Sequence, residues 1–433
     1  MAGRSYYIET YGCSLAEFDS GVMSSILESA GYERTDSLED AEVVIVNTCS
    51  VRLETEQRIA LRLEELSRKL NGKKMIVAGC LVKSRPGLVN RVAPGAHLLS
   101  PQNVGRVLEA LNSKDRVMLL EGSRDFSSMP RLPLSDAVAT IMVEEGCLND
   151  CSFCISKIAR RELRSYHPRV VVEAVKDLVA RGAREIRLTG LDVAAYGRDL
   201  PGRPTIADLV GMILDKVEGD YRIRVGMMTP ELAMEVVGEL LSVYRDERVY
   251  KFFHIPVQSG DDDVLKIMNR RYTVGEYKSL HRRIKAAFPD SMVATDIIVG
   301  HPGEDDEAFN RTLKLVEELR FERVHVAQYS IRPHTRAAAM EQVPDPVKKE
   351  RSRRLMRLVE AIGREIHEAY VGGSYRALVT ERSFREHSMT ARLDNYMPVV
   401  LGLDRGLLGS WVRVRIDDAT FFDLRGTVIE RPG

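Results

Sequence analysis

Three cysteines fall within one short stretch, Cys147-Leu148-Asn149-Asp150-Cys151-Ser152-Phe153-Cys154, with the spacing C-x3-C-x2-C. Three thiolates on one tight loop can hold three corners of a cubic iron–sulfur cluster, for which the usual all-cysteine set needs a fourth. No fourth cysteine is near. One iron would therefore stay open, and an open iron binds substrate or cofactor where a closed one only passes electrons. The same openness argues against structural zinc, which takes four protein ligands in a closed tetrahedron. Free cysteines are often simply buried hydrophobes, but three on a polar loop fit that poorly.

Cys13, Cys49 and Cys80 are the only other cysteines. Each follows a strand-like apolar run: Tyr6 to Ile8, Val43 to Val46, and Met75 to Val77. Helix-like stretches, Glu17 to Ser29 and Glu54 to Leu70, lie between them, so the order reads β-α-β-α-β. Parallel strands joined this way present their carboxyl ends on one sheet edge, where ligands bind. Three thiols would converge there, and three plus three implies two clusters, each with an open iron. The chain enters a strand straight after Met1-Ala2-Gly3-Arg4-Ser5 and shows no signal peptide or membrane-spanning run. A cytoplasmic location is therefore expected, where a reducing environment disfavours disulfides.

The elements that must position these thiols fall into three units. The first, 4–122, is a parallel α/β sheet domain that ends in a polar, Pro-terminated linker, Glu121 to Pro130. The second, 133–370, alternates strands at Ala137 to Val143, Glu185 to Leu188, Arg222 to Met227, Lys251 to Val257, Met292 to Val299 and Arg323 to Tyr329 with helices. Six such units imply an α/β fold curved into a partial barrel, with chemistry at the carboxyl ends of the strands. It closes with a basic helix, Val347 to Glu368, carrying Lys348, Lys349, Arg351, Arg353, Arg354, Arg357 and Arg364. The third unit, 371–433, has short β runs at Tyr375 to Thr380, Met397 to Leu401, Trp411 to Ile416 and Gly426 to Ile429. These read as a small β-barrel, with Trp411 in its core. Across all 433 residues, 63 Lys and Arg balance 63 Asp and Glu. Global charge thus gives no pull on nucleic acid, and any such surface must be local.

These motifs together resemble the radical S-adenosylmethionine enzymes, and within them the methylthiotransferases. Tyr11-Gly12-Cys13, Asn47-Thr48-Cys49-Ser50-Val51-Arg52 and Ala78-Gly79-Cys80 are similar to the family's auxiliary-cluster motifs. Two further stretches resemble long, specific runs of the family: His254-Ile255-Pro256-Val257-Gln258-Ser259-Gly260 with Met268-x-Arg270-x-Tyr272-Thr273, and Ala294-Thr295-Asp296-Ile297-Ile298-Val299-Gly300-x-Pro302-Gly303-Glu304. The resemblance covers nearly the whole chain. It implies two [4Fe-4S] clusters, on Cys147, Cys151 and Cys154 and on Cys13, Cys49 and Cys80. It also implies S-adenosylmethionine as methyl donor and radical source, an external electron donor, and a TRAM-type barrel that docks RNA. Phe153, just before the third cysteine, and Gly190, ending the second strand, are implied cofactor contacts, and so are four polar residues taken to lie at or just after strand ends, Asp192, Arg224, Gln258 and Asp296. Loop capping or a solvated charge would explain any one of them equally.

Cys154-Ile155-Ser156-Lys157-Ile158-Ala159-Arg160, Leu163-x-Ser165-Tyr166, Gln328-Tyr329-Ser330-x-Arg332-Pro333 and Met340-Glu341-Gln342-Val343-Pro344 resemble the archaeal and eukaryotic type. That type acts on N6-threonylcarbamoyladenosine in the tRNA anticodon stem-loop and gives the 2-methylthio derivative. Lys157, Arg160, Arg332, Arg392, Asn395 and Tyr396 are then the expected substrate or RNA contacts, on a monomer. Isopentenyladenosine tRNA and a ribosomal-protein aspartate are the competing substrates. A non-catalytic electron carrier would need closed clusters. Ala16, Arg161, His301, His334 and Arg336 depart from the family pattern, where Asn, Gly, an aromatic, Gly and Pro are usual.

Overall fold

A computed structural model of the protein describes residues 4–70, 73–383 and 386–431. The opening Met1-Ala2-Gly3, on which part of the leader reading rests, and residues 432–433 of the third expected unit lie outside them. Among the described residues, no helix is long and apolar enough to cross a membrane.

The expected α/β class holds. The first sheet runs in the order Glu33–Arg34, Ser5–Thr10, Val43–Thr48, Lys74–Gly79, His97–Leu99 and Met118–Leu119, with every pair parallel. Val43–Thr48 is buried along its whole length, as a central parallel strand covered on both faces must be. Three of the six strands are only two or three residues long, too short to show a period in sequence.

In the central unit, Val138–Met142, Glu185–Thr189 and Arg222–Val225 form one parallel sheet and Phe252–His254, Met292–Val299 and Arg323–Gln328 a second. Single bridges, Ile223 to Val249 and Met227 to His254, join the two into one curved wall of six strands. The expected strand Lys251 to Val257 stops early because Pro256 has no N–H to give the ladder. Helix Ser14–Ser29 packs on Val138–Met142 at the wall's first edge. Its Phe18, Val22, Met23 and Leu27 belong to the same continuous core as Ile141, Ile186 and Val225. Each such side chain contributes about 1.5–3 kcal/mol on burial, so the first two units are held as one body.

The last unit is a closed barrel of Ser374–Arg382, Ser388–Arg392, Pro398–Gly402, Leu424–Glu430 and Trp411–Ala419 in that order around the wall. Ser388–Arg392 went unread because its sequence shows no apolar run. Trp411 corrects an expectation: it lies on the barrel's outer wall rather than in its core. Its indole N–H reaches both carboxylate oxygens of Asp220, at 2.9 and 2.8 Å. The guanidinium groups of Arg222 and Arg376 stand 4.3 and 4.0 Å from its ring. It therefore docks the barrel onto the central unit.

Candidate active site between two thiol triads

Cys13 is the N-cap of helix Ser14–Ser29, Cys49 directly follows strand Val43–Thr48, and Cys80 directly follows strand Lys74–Gly79. Two glycines let these ends meet. Gly12, at φ 127°, leaves no room for a side chain: a Cβ there would lie 2.9 Å from the Cys49 Cβ and 3.2 Å from its Sγ. Gly79, at φ 96°, would place a Cβ 2.4 Å from Asn47 Oδ1. Burial pushes the Cys49 thiol up and the Cys80 thiol up to about 12, the latter against the opposing pull of Arg160. Thiols this reluctant to ionise alone need a soft cation to displace their protons. An iron cluster fits that donor set, and the six free cysteines divide evenly into two triads with no seventh to close either.

The second triad sits on the loop between strand Glu144–Glu145 and helix Ser156–Ala159. The loop is tied down from several sides. Ser152 N donates to Met268 O at 3.0 Å, Asn269 Nδ2 to Asp150 O at 2.7 Å, and Ala337 N to Ser152 O at 2.9 Å. Arg270, which the sequence quoted only as part of a family stretch, aims Nη1 at Cys151 Sγ from 3.0 Å. Its Nη2 is held by Glu231 at 3.2 Å. Burial pushes the Cys147 and Cys151 thiols up as well.

A cavity of about 410 Å³ lies between the two loops. Val51 and Arg52, just past Cys49, form one wall; Phe153 and Cys154 form another, and Gln258, Asp296, His325 and Arg332 face them. Phe153, Gln258 and Asp296 thus share the space, and Gln258 Oε1 has no hydrogen-bond partner. His254, named only as part of a family stretch, and His325, which the sequence did not single out, close around Asp296: the three offer ligand atoms within 4.8 Å of one another. Burial works against the Asp296 carboxylate, yet His254, His325 and Arg52 outweigh it and hold it below the usual range. Burial drives His325 down to about 4. With Arg52 and Arg323 alongside, the trio is a positively flanked polar set rather than a cation site.

The other expected cofactor contacts are placed differently. Gly190 packs over a carboxylate that the sequence did not single out: a Cβ there would fall 2.0 Å from Glu144 Oε1. That oxygen accepts from Asp192 N at 2.8 Å, while Glu144 Oε2 is buried without a partner. Asp192 takes both donors of Thr229, N at 3.0 Å and Oγ1 at 2.5 Å, and burial pushes it up to about 6. Arg224 does not face the cavity. Its guanidinium lies 4.9 Å from the Phe252 ring and 5.5 Å from Tyr396 of the last barrel.

Most of the expected RNA contacts are interior. Lys157 caps the Cys147 carbonyl with its ammonium group. Arg160, 2% exposed, is clamped by Asp19 of the first unit and Glu145 of the second. Arg332, 3% exposed, gives Nη2 to Ser50 O and to Glu56 Oε2, the latter at 2.7 Å, while its Nε and Nη1 have no partner. The loop expected to read bases is buried against the central unit. Tyr396 Oη donates to Glu185 Oε1 at 2.8 Å and Asn395 Nδ2 to Asp290 O at 2.9 Å, while Arg392 Nη2 donates within the barrel to Glu381 Oε1 at 3.0 Å. An amide and an aromatic on a loop signal a contact surface, but the partner here is Tyr250, Phe252 and Met292 of the chain's own core. Of the departures, His301 fills the usual aromatic position, edge-on to Phe153 and Tyr329 at 6.0 and 5.3 Å. Arg336 reaches Asp150 on the thiol loop at 3.2 Å. Arg161 is exposed.

A partial barrel with an open thiol triad at its strand ends defines a radical S-adenosylmethionine enzyme, here with a second thiol triad on the unit beside it. The radical SAM superfamily matches residues 141–316, the uncharacterized protein family UPF0004 residues 5–99, and the TRAM domain residues 368–429. A probable threonylcarbamoyladenosine tRNA methylthiotransferase of Archaeoglobus fulgidus is 40% identical, over 97% of both chains. One from Pyrococcus horikoshii is 36% identical, over 98% of this chain and 99% of the relative. A tRNA-2-methylthio-N(6)-dimethylallyladenosine synthase of Chloroflexus aurantiacus is 36% identical, over 98% of this chain and 91% of its own. Among solved structures, the radical S-adenosylmethionine methyltransferase TsrM of Kitasatospora setae shares the fold, with a TM-score of 0.56 and 14% identity over 78% of this chain and 74% of its own. The chain belongs to the radical S-adenosylmethionine methylthiotransferase family.

Proposed function

We propose that the protein methylthiolates C2 of N6-threonylcarbamoyladenosine beside the anticodon of tRNA, giving the 2-methylthio nucleoside. The observation that carries this is the single cavity reached by both thiol-bearing loops, with Cys154 on one wall and Val51 and Arg52, close behind Cys49, on the other. A target carbon seated there has a radical source on one side and a sulfur-bearing site on the other. Cys147, Cys151 and Cys154 would hold one [4Fe-4S] cluster and Cys13, Cys49 and Cys80 a second. With S-adenosylmethionine bound, these groups supply hydrogen abstraction, sulfur and methyl. The chain's own part is to orient and shield. Phe153, Gln258 and Asp296 line the chamber for the cofactor, and Glu144 and Asp192 lie by the Gly190 turn. An external electron donor is required.

The relative named for a dimethylallyladenosine product keeps isopentenyladenosine as the second reading. The character of the cavity favours the first. Arg52 on its wall and the two unpartnered nitrogens of Arg332 suit the carboxylate of a threonylcarbamoyl group, whereas a prenyl chain would leave those cationic groups without a partner. The test is nucleoside mass spectrometry of tRNA from a bacterial host that makes N6-threonylcarbamoyladenosine but not its methylthio form. Expression of this chain yields the methylthio species, and Cys13→Ala or Cys147→Ala abolishes it. A methylthio group on isopentenyladenosine alone would overturn the substrate. No new nucleoside, despite anaerobic cleavage of S-adenosylmethionine, would move the target off this nucleoside.

A further inference from the structure

We infer that the outer face of helix Asp345–Glu368, carrying Lys349, Arg353 and Arg357, holds the phosphate backbone of the RNA that flanks the target nucleoside; this rests on the reading of tRNA as substrate. Charges balance over the whole chain at 63 of each sign, so a polyanion has to be held by a local patch. The loop that looked suited to RNA, Arg392 to Tyr396, is sealed against the central unit. The helix offers the alternative because it borders the mouth of the cavity: Ser352 lines the cavity itself.

The helix's basic residues divide by task. Lys348 and Arg351 are buried. Arg351 gives Nη1 to Glu304 Oε1 at 2.8 Å and Nη2 to Asp306 Oδ1 at 2.9 Å, and the Lys348 stem fills the space beside Gly300. Arg354 donates to Asn310 at 3.0 Å. Lys349, Arg353 and Arg357 are exposed and recur at every fourth position, which sets them in one row along the helix surface. Among the described residues Lys349 and Arg357 have no ion-pair partner, and Arg353 meets only Glu350, at 3.8 Å. Such an exposed pair holds its arginine weakly. Lys349 stands one turn before Ser352 and Arg353 directly after it, so the row begins at the mouth. Arg52 stands on the cavity wall across from it. A nucleoside drawn out of its loop into the cavity leaves its own phosphates and those of its neighbours at that rim. Lys and Arg on the rim bind phosphate without reading sequence.

The test uses the full-length, cluster-loaded protein and an anticodon stem-loop RNA. Binding is measured from low to moderate salt for wild type, for Lys349→Gln, Arg353→Gln and Arg357→Gln singly, and for the triple variant. The triple variant is expected to bind at least about tenfold more weakly at low salt, with the salt dependence shallower by about two to three units of log–log slope. Iron content and thermal unfolding are expected to stay at wild-type values, and Arg68→Gln, on the exposed face of helix Leu53–Lys69, is expected to bind normally. An unchanged affinity and slope in the triple variant would overturn the inference, whether or not the wild type modifies tRNA. A loss of polyglutamate binding with RNA binding intact would also overturn it, assigning the row to an acidic protein. If the wild type binds the RNA through this row yet leaves the nucleoside unmodified, the track stands and the substrate assignment fails.

Discussion

Arg270 Nη1 donates to the Sγ of Cys151 at 3.0 Å, and Arg270 is itself held by Glu231 at 3.2 Å and by Tyr272 Oη at 3.3 Å. With Cys151 as a ligand of the proposed cluster, a cationic donor aimed at its thiolate would stabilise the reduced, more negative state. Arg270→Gln should therefore lower that cluster's midpoint potential by about 60 mV, a tenfold shift for a one-electron couple. The potential of the other cluster should stay the same. An EPR-monitored titration without S-adenosylmethionine reads this directly. An unchanged potential with weaker cofactor binding would assign Arg270 to the cofactor instead.

Arg160 joins the first and central units by pairing with Asp19 and Glu145, with Arg124 completing the group on Asp19 at 2.5 Å. Removing one member of a buried set strands the opposite charges, at a cost of about 3–5 kcal/mol. Arg160→Met should lower the unfolding temperature and the iron bound at Cys13, Cys49 and Cys80. Calorimetry and metal analysis would show it, and wild-type values for both would refute the clamp.

Tyr396→Phe separates docking from RNA recognition. The Tyr396 hydroxyl serves the buried Glu185 carboxylate, so its loss should cost about 1–3 kcal/mol of stability with RNA affinity unchanged. A weakened RNA complex at full stability would return this loop to the RNA interface.

His334 stands at φ 66°, a left-handed conformation that costs an L-residue about 1–2 kcal/mol and glycine nothing. The residue at this position thus takes a conformation that glycine would adopt without strain. His334→Gly should leave stability equal or raised by up to about 1 kcal/mol once the looser unfolded chain is counted. His334→Val should lower it, because a β-branched residue at positive φ is an outlier. Melting temperatures of the pair decide the matter.

His281 is buried with Nε2 unpartnered, and burial lowers its pKa from 6.5 to about 4. The unfolded chain binds the proton between those values and the folded chain does not, so stability rises with pH through that window and is fully present above it. His281→Leu should flatten this part of the acid-denaturation profile, by up to about 3 kcal/mol at its foot. An identical acid limb in variant and wild type would show that His281 is not the group.

The sequence by itself determined the chemistry and the architecture. Cysteine thiolates are the usual ligands of iron–sulfur clusters, so Cys147, Cys151 and Cys154 announce themselves by spacing alone. Apolar runs and glycine-ended strands laid out the two α/β units for the same reason that they fold: each must bury its parallel strands and the inner face of every helix. The strands that went unread were Glu33–Arg34, His97–Leu99, Met118–Leu119, Glu144–Glu145, Arg164–Ser165 and Ser388–Arg392, too short or too polar to carry a period. What only the tertiary structure decided is which charges face inward. Arg160 looks like a surface arginine until Asp19, far away in the chain, closes on it, and Tyr396 looks like a base-stacking ring until Glu185 takes its hydroxyl. Whether a guanidinium, amide or phenol is buried depends on a partner supplied by another unit. That partnership lies in no local pattern, because the energy that permits burial comes from the long-range contact itself.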